Sequence, residues 1–340
     1  MRRTTVAVRT DLNRWECLMT YRDAVRELYR EAALAPKAAL CCTPGPVFRL
    51  PGLEIPVEMT EMNYGCGTTV HLQDLSPSLD ILYLGVGGGL EALQLAYFTR
   101  RPNSVIALDA VPEMLAKAES NLRIAEKSNP WFRADFIQLV EGDALSIPLP
   151  DARVDLGAQN CLFNIFTRED LDRALAEVRR VLRPGGRLVL SDPVCEDSIP
   201  GRLRDNDRLR AECLSGAIPL DEYLGALVAA GFGTIEIRSR RPYRVLDRKR
   251  YGLECSLMLE TVEAVAVNAP VPDDGACIFT GETAIYVGEQ EALDDGRGHI
   301  IQRDVPLSVC RKTARAFRDM GRDDVIVTAP TWHYAGGGCC

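Results

Sequence analysis

Three cysteines stand apart in this chain, each in its own short motif: Cys66 in Tyr64-Gly65-Cys66-Gly67, Cys161 in Gln159-Asn160-Cys161-Leu162-Phe163-Asn164, and Cys213 in Glu212-Cys213-Leu214-Ser215-Gly216-Ala217. Between the first two runs Leu84-Gly85-Val86-Gly87-Gly88-Gly89, the pattern of a nucleotide-type cofactor loop. Thiolates are soft donors, so separated thiols beside a small organic cofactor point to chemistry on something that binds sulfur. The chain holds 12 cysteines but no regular disulfide framework and no C-x-x-C pair, which favours reduced thiols over disulfides or a zinc ribbon. Cys41-Cys42 and Cys339-Cys340 are vicinal pairs; neighbours bridge each other poorly but can share one soft ion. His71, His299 and His333 have no metal-binding spacing.

Chemistry at such thiols requires elements that deliver them to one place. Apolar runs at 80–84, 104–108, 136–140, 154–158 and 187–190 predict strands, alternating with helices over 91–99, 112–127 and 169–182. Pro112 suits a first helical position. This alternation predicts a doubly wound, mostly parallel α/β sheet. Gly85, Gly87 and Gly89 then follow the first strand and open a helix, where the chain turns sharply and backbone must approach a cofactor. Asp109 ends the next strand, about 20 residues on, where a carboxylate can bind ribose hydroxyls. Read from Gly87 to Ala92, the same run fits a dinucleotide fingerprint, and a tight turn without ligand also fits it.

Four regions are expected: a helical and loop segment over 1–75, with a helix at 21–34; a cofactor-binding core over 76–240, interrupted near 193–219 by an insertion carrying Cys195 and Cys213; a small α+β domain over 241–335, with a hairpin at 276–287; and a flexible Gly/Cys tail over 336–340. The net charge of −8 argues against a nucleic-acid partner. The arginines of 238–250 read as solvated surface. No apolar run reaches the roughly 20 residues of a membrane span, and Met1-Arg2-Arg3-Thr4-Thr5-Val6 is followed by no secretory apolar region. A cytoplasmic location is expected.

Glu141-Gly142-Asp143-Ala144 and Arg183-Pro184-Gly185-Gly186-Arg187-Leu188, added to the glycine loop, resemble class I methyltransferases that use S-adenosylmethionine. With the three cysteine motifs in order, the chain is similar to arsenite S-adenosylmethionine methyltransferases. The resemblance implies a Rossmann-like class I core and a cofactor site at Gly85, Gly87, Gly89, Asp109, Ala110, Asp143, Ala144 and Asn160, with Asp143 and Ala144 framing the adenine. It implies arsenic(III) ligands at Cys66, Cys161 and Cys213, with Cys41 or Cys42 as a fourth functional thiol. Tyr83 stands where the family often has an acid near the methionine amino group; Tyr64 or a backbone carbonyl is expected to take that contact. The substrates implied are arsenite and methylarsenite, with a thioredoxin or glutathione reductant.

Trivalent arsenic on thiolates keeps a lone pair that can attack a sulfonium methyl without a general base. Cys339 and Cys340 are candidates for arsenite capture. Cys17, Cys195, Cys255, Cys277 and Cys310 are expected to be small buried hydrophobes. Two rival readings remain: a methyltransferase acting on carbon, nitrogen or oxygen, which needs a base, and a non-catalytic metalloid-binding protein, which needs no cofactor loop.

Overall fold

Ile81-Leu82-Tyr83-Leu84 is apolar at every position because both its faces are covered: Ile81 and Tyr83 join one core cluster, Leu82 and Leu84 the other. The same holds for the neighbouring strands, in a computed structural model that describes residues 20–36, 40, 49–334 and 336. Helix α1 (Tyr21–Leu34) starts at a reciprocal cap in which the Thr20 hydroxyl accepts from the Asp23 amide and the Asp23 carboxylate accepts from the Thr20 amide. After α2 (Val57–Glu61) come β1 (Ile81–Leu84), α3 (Leu90–Thr99), β2 (Val105–Asp109), α4 (Pro112–Ser128), β3 (Ile137–Glu141), β4 (Val154–Asn160), α5 (Arg168–Val181) and β5 (Leu182–Cys195). These five strands lie parallel in the order β3-β2-β1-β4-β5. Successive crossovers turn one way to β3 and then the other way from β1 to β4. The crevice at the carboxyl ends of β1 and β4 is therefore where a ligand fits.

The insertion after β5 forms α6 (Gly201–Arg204), α7 (Asp207–Ala211) and β6 (Ile218–Pro219), followed by α8 (Leu220–Ala229). The expected boundary at 240/241 falls inside β7 (Thr234–Leu246), so the proposed C-terminal domain does not begin there. After α9 (Arg248–Tyr251), β8 (Leu257–Val267) inserts between β5 and β7, antiparallel to both. Its Glu260 and Glu263 do not break the strand, because Arg240 and Arg241 on the adjacent β7 pair with them at 2.5 and 3.2 Å.

The expected hairpin at 276–287 is also absent. β9 (Cys277–Phe279) extends the main sheet beside β7, while β10 (Glu282–Tyr286) pairs with β13 (Leu307–Val309) and β14 (Val325–Val327). The chain passes between the two sheets at Gly281, which has a left-handed φ of 87°. β11 (Ala292–Asp294), β12 (Ile300–Gln302) and α10 (Arg311–Asp319) complete the smaller layer around Tyr286, Ile301 and Phe317. No helix among the described residues is long and apolar enough to cross a membrane.

Candidate active site

Gly85, Gly87 and Gly89 hold φ values of 77°, 52° and 88° as the chain turns from β1 into α3. A side chain would strain each of these left-handed positions, so glycine belongs there. The turn borders an open cleft. Of the expected cofactor residues, Tyr64, Gly85, Gly87, Asp109, Ala110, Asp143, Ala144 and Asn160 line it; Gly89 sits behind the wall as the N-cap of α3. Cys161 lines the same cleft.

The carboxylates are held by backbone amides. Asp109 Oδ1 accepts from the Val111 amide at 3.0 Å, and the amides of Val86, Gly87 and Ala110 also favour its ionised form. Burial outweighs them and pushes its carboxyl up to about 6. Asp143 Oδ1 accepts from the Leu145 amide at 3.0 Å, while Oδ2 pairs with Arg22 and lies 3.7 Å from Arg26. Both arginines belong to α1, which contributes Tyr21, Val25 and Tyr29 to the cleft. Tyr29 meets Tyr64 edge-on at 6.4 Å, and Tyr21 donates to Asp170 on α5. The amphipathic pattern of α1 signalled a buried face but not what that face covers.

Cys66 and Cys213 both contact the Asn160-Cys161 segment. Cys66, Cys161 and Cys213 belong to one core cluster and are 3%, 5% and 0% exposed. Cys66 Sγ lies 3.4 Å from both Ser191 Oγ and Thr261 Oγ1, and its amide donates to Asn160 Oδ1 at 2.9 Å. Asn164 Nδ2 donates to Cys161 Sγ at 3.6 Å. A Cβ on Gly65 would lie 2.3 Å from Asn160 Nδ2, and one on Gly216 would lie 1.7 Å from the Asn164 carbonyl oxygen. These close approaches explain the glycines beside Cys66 and after Cys213.

Cys66 and Cys213 do not border the cleft, and among the described residues no group of three Cys, His, Asp or Glu side chains is placed to hold a metal ion. Cys195, Cys277 and Cys310 are buried elsewhere, with burial pushing the Cys195 thiol up to about 12. Cys255 is exposed, which corrects its expected core role: it lies in the turn before β8, outside the packed layers. Cys17, Cys41, Cys42, Cys339 and Cys340 lie outside the described residues.

Behind Cys161 sits a polar knot that the sequence did not signal. Buried Asp192 accepts from Tyr223 Oη at 2.6 Å, from Gln159 Nε2, and from the Asn164 amide at 3.4 Å. Gln159 Oε1 accepts from the Leu162 amide at 2.9 Å. The 159–164 turn carrying Cys161 is thus clamped at both ends. Burial raises the Asp192 carboxyl to about 7.

A family model described as a methyltransferase domain matches residues 82–190, which carry the glycine loop, Asp109, Asp143 and Cys161. An arsenite methyltransferase of Aquipseudomonas alcaligenes is 28% identical over 297 residues, spanning 83% of this chain and 82% of that one. The human arsenite methyltransferase is 29% identical over 294 residues, spanning 81% and 74%. That of Halobacterium salinarum is 29% identical over 177 residues, and the chain spans 43% of its length. A solved arsenic(III) S-adenosylmethionine methyltransferase from Chlamydomonas reinhardtii shares the fold, with a TM-score of 0.58 at 24% identity over 86% of this chain and 99% of that one. The chain has the Rossmann-like class I methyltransferase core, carries a methyltransferase domain over residues 82–190, and is similar over most of its length to arsenite methyltransferases.

Proposed function

We propose that the protein transfers methyl groups from S-adenosylmethionine to trivalent arsenic held by its own thiols. The observation that carries this reading is that Cys161 faces the cleft of the glycine loop and Asp109, while Cys213 and Cys66 bond to the same 160–161 segment from behind. The names of the relatives support the same substrate.

The residues fit the cofactor. A Cβ on Gly87 would meet nothing within 4 Å, so the loop backbone is bare toward the cleft. Asp109, at the end of β2, can accept from ribose hydroxyls in place of lost water. Asp143 and Ala144 stand where the resemblance puts the adenine. When bound, S-adenosylmethionine supplies an electrophilic sulfonium methyl. Arsenic presents a lone pair carrying no proton, so the protein need supply no base. Its residues position and exclude water: α1 roofs the cleft, and the Asp192 knot fixes the turn of Cys161. Each thiol that takes arsenite exchanges an As–OH bond for As–S, its proton leaving in water. Methylation oxidises arsenic by two electrons; two thiols drawn from Cys41, Cys42 and Cys66 would return them by closing a disulfide, which an external thiol reductant would reopen. Such thiols stay reduced in a cytoplasmic setting.

The test is to incubate reduced protein with arsenite and methyl-labelled S-adenosylmethionine and to identify the arsenic species. Labelled methylarsenicals are expected. Cofactor binding without any labelled arsenical would overturn the substrate; no cofactor binding would overturn the site.

A further inference from the structure

Glu91 occupies the first turn of α3, directly after the glycine loop, and lines the cleft although it is 6% exposed. Its carboxylate accepts three hydrogen bonds: from the Thr69 amide at 2.9 Å, from Thr69 Oγ1 at 2.9 Å and from Tyr83 Oη at 2.8 Å. All three donors are neutral. Asp143 differs in pairing with Arg22 and Arg26, and Glu263, outside the cleft lining, pairs with Arg241; Asp109 shares the lack of a cation among the described residues but holds backbone amides at the end of β2. No cation among the described residues pairs with Glu91. A buried carboxylate with hydrogen bonds but no counter-charge remains costly, and a cationic ligand group would complete it. Tyr83, which lines the cleft beside it, holds the Glu91 carboxylate in place, and burial and then Glu91 push the Tyr83 phenol well above its ordinary range. Glu91 lines the same cleft as Asp109 and Cys161.

We infer that Glu91 binds the α-ammonium group at the amino-acid end of the cofactor, taking the place of the acid that Tyr83 displaces from the strand. Tyr83 acts as a positioning residue: its phenol fills the strand-end site and anchors the Glu91 carboxylate beside the glycine loop. The charge is moved from the strand to the helix, and the ligand's amino group is the cation that the pair lacks. This assignment rests on the S-adenosylmethionine reading of the cleft.

The test is binding rather than turnover. Calorimetry compares S-adenosylhomocysteine with its analogue lacking the α-amino group, on the wild-type protein and on Glu91→Gln. The wild type is expected to prefer the amino-bearing ligand by about tenfold or more, the scale of one charged hydrogen bond. Glu91→Gln should remove most of that preference and leave the affinity for the desamino analogue within about twofold. Thermal melting reports whether the variant folds. If it does not, Glu91→Asp takes its place: a carboxylate withdrawn by one methylene should narrow the preference. A wild type that binds both ligands equally, a preference that survives either substitution unchanged, or an equal loss for both ligands in a folded variant overturns the assignment. A wild type that binds neither ligand overturns the cofactor reading, and the assignment falls with it.

Discussion

The Cys213 thiol donates to the backbone carbonyl of Cys161 at 3.5 Å, and both residues hold left-handed backbones, with φ of 58° and 64°. A side chain in this region costs about 1–2 kcal/mol. Two such positions in contact concentrate backbone strain at one point of the fold. Glycine at Cys213 should relieve the strain that alanine retains. Cys213→Gly is therefore expected to be about 1 kcal/mol more stable than Cys213→Ala in urea unfolding, the reverse of the order in a helix. An alanine variant at least as stable as the glycine variant would show that the position is relaxed.

Cys161→Ser and Cys213→Ser should each abolish methylation of arsenite while leaving S-adenosylmethionine affinity within a few-fold, because a hydroxyl is a hard, poor arsenic ligand. Cys66→Ser should spare methylarsenite, which has one fewer thiol position to fill. Product analysis with the two substrates checks both statements. Wild-type turnover of arsenite by Cys161→Ser would remove the thiol site.

Asp109 titrates near 6 because burial outweighs its amide donors. Ribose hydroxyls donate to the ionised form, so cofactor affinity should fall as the pH drops through about 6 and level off above about 7. Asp109→Asn should bind roughly tenfold more weakly or worse at pH 7.5 and lose the pH dependence. Calorimetry across this range decides it; a variant with the wild-type profile would place the titrating group elsewhere.

Asp192 has its carboxyl raised to about 7 in the folded protein, whereas an unfolded aspartate is ionised down to about 4. The folded state therefore holds the extra proton between these values, and stability from this group rises as the pH falls through 7. Between pH 8 and pH 6 the gain is on the order of 1 kcal/mol. Melting curves should show it for the wild type and lose it in Asp192→Asn. An Asn variant with an unchanged slope would mean that Asp192 stays ionised against Tyr223 and Gln159.

The parallel half of the sheet was legible in the chain because its signals are local. β1, β2 and β4 are short, mostly apolar runs, α4 and α5 bury one face at helical spacing, and Pro112 and the glycine loop punctuate the order. The residues expected to hold a cofactor could be placed from that order, since a topological switch brings the ends of strands 1 to 4 around one crevice.

The antiparallel half was not legible. β8 carries Glu260 and Glu263 among alanines and valines, and nothing nearby in sequence shows that Arg240 and Arg241 will neutralise them. The chain by itself set Cys66, Cys161 and Cys213 in separate short motifs, with a glycine loop between the first two. Only the tertiary structure decided that α1 lines the cleft, that Tyr83 donates to Glu91, and that Cys161 borders the cleft while Cys66 and Cys213 do not. Those relations join residues 8 to 195 positions apart, and they arise from packing and charge pairing between elements. No local pattern of residue types encodes such contacts.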